Sequence, residues 1–183
     1  PRASPPRIGI AKLLRRQGRL EAADKTVRLA IEFDPLSWDA YEELGMLRYD
    51  QRRWDEAEAA YTRAVQLAGE NVSPRIVRGS ARLLTGRLEE GREDIEWVLA
   101  RQPNHPDARA ERGVYYVRLG EVARAEEDFK ASLAIDPDNP IALHEYGLLQ
   151  WRSGRTEAAI RCYDRSIELF PEEPTHYVNR GSA

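Results

Sequence analysis

Residues 144–171 read HEYGLLQWRSGRTEAAIRCYDRSIELFP. Gly147 lies in a stretch whose apolar residues recur at helical spacing, although glycine inside a helix costs about 1 kcal/mol relative to alanine. The anomaly returns at a fixed interval. Moving back 34 residues at a time from Gly147 reaches Gly113, Gly79, Gly45 and Ala11, and one move forward reaches Gly181. Gly154 leads back to Gly120, Gly86, Arg52 and Gly18; Ala159 leads to Ala125, Gly91, Ala57 and Ala23. Pro171 leads to Pro137, Pro103, Gly69 and Pro35. Columns that hold register without an insertion define a repeat array.

Each unit carries two apolar patterns of helical spacing split by a short break. In the last full unit Leu143, Tyr146 and Leu149 share a face of one helix, and Ile160, Tyr163, Ile167 and Leu169 mark the buried side of a second. Ser153-Gly154 is the break, where glycine suits a helix C-terminus because it takes positive φ freely. Pro171 stops the second helix, having no N–H to donate and a ring that clashes with the preceding turn. Pro174 then opens the next unit, since proline fits a first helical turn.

The glycine column, Gly181 included, marks a close approach of two helices, with the alanine column supplying small residues from the second helix. Bulky Val27, Tyr61, Ile95, Phe129 and Tyr163 alternate with them. Small-against-large interdigitation is how a core reaches close packing.

This spacing resembles the tetratricopeptide repeat family, a helix–turn–helix unit of the same length. Residues 38–71 match with Tyr41, Leu44-Gly45, Trp54, Ala57, Tyr61 and Ala64, and residues 140–173 with Leu143, Gly147, Gly154, Ala159, Tyr163 and Pro171. The resemblance implies an all-α fold: a right-handed superhelical α-solenoid of antiparallel helix pairs. Its five units of 34 residues run 4–37, 38–71, 72–105, 106–139 and 140–173, with 174–183 a partial sixth or cap, in a single solenoid over 1–183. The array stops part-way through a helix at Ser182-Ala183, as expected of a piece of a longer protein or of a half-unit capping the last repeat. The departures are Arg7 and Ala11 in the first unit and the paired arginines Arg75 and Arg78, then Arg109 and Arg112, whose stems are expected to cover neighbours while their heads reach water.

Composition sets the remaining bounds. The chain is 42% hydrophobic and 32% charged with a net charge of −3, so no strong field draws nucleic acid or an anionic membrane. No apolar run approaches the roughly 20 residues of a membrane span, and the first residues lack an apolar signal-peptide core. A lone cysteine, Cys162, allows no internal disulfide and fits a reducing compartment. A cytoplasmic location is the expectation.

Family resemblance implies that the first helix of each unit lines a concave face that binds a peptide or partner helix, without catalysis, cofactor or small-molecule substrate. The positions three before, one after, and four and five after the signature glycine would form the groove. They are Ile8, Lys12, Arg15 and Arg16 in the first unit, then Glu42, Met46, Tyr49 and Asp50. Ile76, Ser80, Leu83 and Leu84 follow, then Ala110, Val114, Val117 and Arg118, and finally His144, Leu148, Trp151 and Arg152. Ile76, Leu83, Leu84, Val114, Val117, Leu148 and Trp151 form an expected apolar floor, flanked by Arg118 and Arg152 with Arg15 and Arg16 at one end. Such a strip suits an amphipathic helix or extended peptide with apolar anchors and some acidic residues. A family subgroup grips carboxyl tails with a lysine–asparagine–arginine clamp; Ile8, Lys12, Glu43, Ser73 and Val77 at the matching positions do not supply that set.

Other chemistry finds little support. His105, His144 and His176 fall at unrelated helical phases, so no metal site is expected. No phosphate loop or nucleophile elbow occurs. The acidic runs Asp55-Glu56 and Glu126-Glu127-Asp128 are expected on solvated outer faces. Arg75, Arg78 and Arg82 share a helix face that could meet RNA phosphates, a reading the acidic balance disfavours. A docking or regulatory role within a larger enzyme is the alternative to an adaptor, and apolar array ends would let copies stack into a homo-oligomer.

Overall fold

The computed structural model describes residues 7–172 and 174–183; residues 4–6 of the first expected unit, Glu173 and the side chain of His176 lie outside that set. Among the described residues all regular structure is helical. The order is α1 (Arg7–Arg16), α2 (Leu20–Phe33), α3 (Trp38–Asp50), α4 (Trp54–Ala68), α5 (Ser73–Leu84), α6 (Leu88–Arg101), α7 (Pro106–Leu119), α8 (Val122–Ile135), α9 (Pro140–Arg152), α10 (Thr156–Leu169) and α11 (Pro174–Ser182). Each expected unit holds one pair, and α11 opens the partial sixth.

The chain divides into two compact units, Pro1–Thr85 and Gly86–Ala183. The division falls between α5 and α6, inside the third repeat rather than between repeats. In the first unit α1 packs on α2 and α3 on α4, while α3 also meets α2, α1 and α5. In the second, α6 to α11 pack in consecutive order, and α7 also lies against α9. Consecutive antiparallel pairs of this kind are the packing of an α-solenoid.

Sequence explains where the helices stop. The turn inside a repeat needs one residue in the left-handed region, and Gly18, Gly120 and Gly154 supply it at φ 71°, 75° and 72°. Arg52 occupies the same column and adopts φ 58° despite its side chain. The second helices end differently. Asp34 and Asp136 turn extended and Phe170 also leaves the helical region, each keeping its N–H on the carbonyl four residues back. Each precedes a proline, which disfavours the α region for the residue before it. At the other end, Asn139 caps α9 by accepting from the Ala142 N–H at 2.9 Å, and its amide donates to Asp107 Oδ1 at 2.5 Å.

The seam between paired helices has the expected form. A Cβ on Gly113 would lie 2.6 Å from Phe129 Cε1, and one on Gly147 would lie 2.6 Å from Tyr163 Cε1. A Cβ on Gly45 would collide with the Tyr61 ring. Phe129 and Tyr163 are fully buried against these bare backbones. Gly181 is the exception, because nothing lies within 4 Å of where its Cβ would be.

Candidate functional site

In the first unit, the first helices α1, α3 and α5 carry the expected groove positions, and most of those side chains are engaged internally. Arg15 donates to Glu43 Oε1 at 2.7 Å and to Asp50 Oδ2 at 3.0 Å, and a third N–H reaches the Met46 sulfur at 3.3 Å. Burial opposes its charge, yet the bonds to Glu43 and Asp50 outweigh that and raise its pKa. Arg15 is therefore committed within the protein rather than offered to a partner. Tyr49 packs edge-on against Trp54 with ring centroids 4.9 Å apart. Ile8, Ile76 and Leu83 are buried, so they belong to the interior and not to a solvent-facing floor. Leu84 is half exposed. Lys12 and Ser80 are partly exposed and Arg16 is exposed.

Glu42, another groove position, is 6% exposed, and its Oε2 has no hydrogen-bond partner. Burial raises its pKa above the usual glutamate value, with Lys12 acting in the opposite sense.

The arginines expected to project into water turn inward. Arg112 grips Asp128 with two bonds of 2.7 and 2.8 Å and reaches Glu96 at 3.4 Å. The bonds to Asp128 raise the Arg112 pKa further above its already high value. Asp128 is 3% exposed, so the acidic run containing it is not wholly a solvated face. Arg109 adds a contact to Asp128 at 3.5 Å and donates to the Pro103 carbonyl at 2.9 Å. In the first unit Arg82 meets Glu58 at 2.6 Å and Arg78 donates to Thr62 at 3.2 Å. Of the basic stripe considered for RNA, Arg82 is thus paired with an acid of the same chain and Arg78 with a hydroxyl. A periodic ladder runs through it: Arg48 with Asp24, then Arg82 with Glu58 one period later. Sequence reading missed it; the signal was an arginine 24 residues after an acid, twice in register.

In the second unit, α7 and α9 lie side by side at equivalent positions of neighbouring repeats. Val114 pairs in register with Leu148, Val117 with Trp151, and Arg118 with Arg152, so each pair falls on the same side of its helix. Ala110 and Val114 are buried and form a packed base, which removes Val114 from the expected exposed floor. Val117, His144 and Leu148 are partly exposed above it. Trp151 stands out at 41% exposure. Arg118 on α7 and Arg152 on α9 are exposed, and no ion pair among the described residues engages either one. An exposed indole on α9 and two such guanidinium groups on α7 and α9 offer apolar contact and carboxylate binding.

Among the described residues no cluster of His, Cys, Asp or Glu side chains is placed to hold a metal ion. Cys162 is buried, and burial pushes its thiol pKa up, which suppresses the reactive thiolate. No helix among those residues is long and apolar enough to cross a membrane.

Comparison with known proteins bears on the fold. A tetratricopeptide repeat model matches residues 8–72 and 76–140, and another matches 141–173. TTC0263, a thermophilic TPR protein of Thermus thermophilus, superposes with a TM-score of 0.83 at 21% identity over 96% of each chain. PilW, a type IV pilus biogenesis factor, gives 0.76 at 19% identity over 92% of this chain and 78% of its own. YrrB, a TPR protein with an unusual peptide-binding site, gives 0.57 at 21% identity over 97% of this chain and 92% of its own. At such identities the likeness shows fold alone. No curated protein matches the chain.

Proposed function

The chain belongs to the tetratricopeptide repeat family, and from that membership we propose that it is an interaction scaffold whose second unit binds a peptide or amphipathic helix on the α7–α9 face. The fold is generally a non-catalytic scaffold for protein partners. The observation that carries the finer reading is Trp151, exposed on α9 next in sequence to the exposed Arg152, with the exposed Arg118 at the matching position of α7. Val117 and Leu148 extend the apolar part of that face. The fitting ligand has an aromatic or aliphatic anchor and an acidic residue within reach of a guanidinium. YrrB, which shares the fold, carries a peptide-binding site, and this supports peptide binding as a use of such helices.

Selection of a displayed random peptide library on the intact chain is the test. The expected winners carry an apolar anchor close to Asp or Glu. Their affinity should fall at least about tenfold with Trp151→Ala, the size typical of losing one anchor, while helical content stays unchanged. Arg118→Glu should reverse the preference for acidic residues. Peptides that bind both variants as they bind the parent would place recognition elsewhere.

A further inference from the structure

The two compact units differ in charge. Residues 1–85 carry 15 Lys and Arg against 12 Asp and Glu, a net charge of +3, and residues 86–183 carry 13 against 19, a net charge of −6. Four arginines of the first unit gather on one edge. Arg16 ends α1 and Arg19 precedes α2, while Arg52 and Arg53 stand in the turn from α3 to α4. An ion pair of 3.0 Å from Arg15 to Asp50 ties the end of α1 to the end of α3, so the two turns lie side by side. All four arginines are exposed. Trp54 follows Arg53 as the first residue of α4 and is 44% exposed, its ring edge-on to Tyr49.

The acids of these turns are mostly engaged. Asp50 is held by Arg15, and Glu56 by Arg48 and Arg53, leaving exposed Asp55 to oppose the cations. No ion pair among the described residues engages Arg16, Arg19 or Arg52. Arg52 is the telling member. It holds φ 58° where Gly18, Gly86, Gly120 and Gly154 stand at equivalent positions. Glycine takes that backbone without strain, and strain kept where the fold does not need the side chain points to function. Nothing within the protein offsets the strain at Arg52, because its guanidinium has no internal acid.

We propose that this edge binds a short acidic segment of a partner protein, with carboxylates on Arg16, Arg19 and Arg52 and an apolar side chain against Trp54. A planar guanidinium meets a carboxylate with two parallel bonds. Length decides against nucleic acid. Exposed charges are screened beyond about 10 Å at ordinary salt, so a short segment answers the edge alone, whereas a long polyanion extends over a chain of net charge −3. An anionic bilayer asks for several apolar side chains to insert, and Trp54 is the one large apolar residue exposed on these turns. The edge belongs to the first unit and is independent of the α7–α9 face.

The test is fluorescence anisotropy of a labelled Gly-Glu-Glu-Trp-Glu-Glu-Gly peptide with the full chain carrying Trp151→Ala, which removes the anchor of the α7–α9 face. The peptide should bind, and added salt should weaken it. Arg52→Gly should lower its affinity at least about fivefold, the size of one lost charge-assisted pair, while raising the urea midpoint, so that misfolding cannot account for the loss. Arg19→Glu should lower the affinity further, with helicity unchanged by circular dichroism. Absence of binding overturns the proposal, as does an affinity that Arg52→Gly leaves unchanged. Binding lost with Arg118→Glu but kept with Arg52→Gly would assign the peptide to the second unit and overturn it too. Tighter binding of oligouridine or of anionic vesicles than of the peptide would overturn the choice of occupant.

Discussion

At the residue scale, the glycine column separates two roles that sequence alone merges. Gly113 faces Phe129 so closely that even a methyl group has no room. Gly113→Ala should therefore cost about 1–3 kcal/mol through overpacking. Gly181 has open space around it, and Gly181→Ala should instead stabilise by up to about 1 kcal/mol from helix propensity alone. Thermal unfolding of the two variants checks the contrast, and equal effects would contradict the seam. Arg52 gives a second case. It holds a left-handed backbone where its equivalents are glycine. The strain of about 1–2 kcal/mol exceeds the unfolded-state entropy that glycine adds, so Arg52→Gly should stabilise by about 0.5–1 kcal/mol, read as a rise in the urea midpoint.

At the scale of paired elements, charge binds helices that the apolar pattern already brings together. Removing one partner of a buried pair leaves the other stranded. Arg112→Ala should thus destabilise, by less than the roughly 3–5 kcal/mol of a wholly buried pair because Arg109 still reaches Asp128 at 3.5 Å, and adding Asp128→Leu should recover much of the loss. A double variant no better than the single one would show that the pair is not the source. Glu42 works in the opposite sense. Its folded pKa is raised by burial, so its contribution is present at pH below the ordinary glutamate value and disappears as pH rises through the raised one. Glu42→Gln should raise the melting temperature near neutral pH and give no gain under acid conditions. A pH-independent effect would mean that the carboxylate is not burdened by its surroundings.

Across the whole molecule, what was legible follows from what repeats. The small-against-large seam is written at intervals of one period, so Gly45 with Tyr61, Gly113 with Phe129 and Gly147 with Tyr163 could be read before any coordinates. The break residues and the proline stops follow from backbone chemistry that each residue carries alone. Arginine was harder. Arg15, Arg82 and Arg112 look like surface cations in one dimension, and only packing shows that their acids sit on neighbouring helices 28, 24 and 16 residues away. Exposure was equally illegible: Ile76, Leu83 and Val114 share groove positions with Leu84 and Trp151, yet the first three are buried. What survives as a candidate surface is the part of the pattern that packing leaves uncovered, around Trp151 in the second unit. NMR titration of the labelled chain with a selected acidic, apolar-anchored peptide tests that claim most directly. Shifts centred on Val117, Leu148, the Trp151 indole and the Arg118 and Arg152 guanidinium groups are the predicted result, and shifts centred on the second helices α8 and α10 would contradict it.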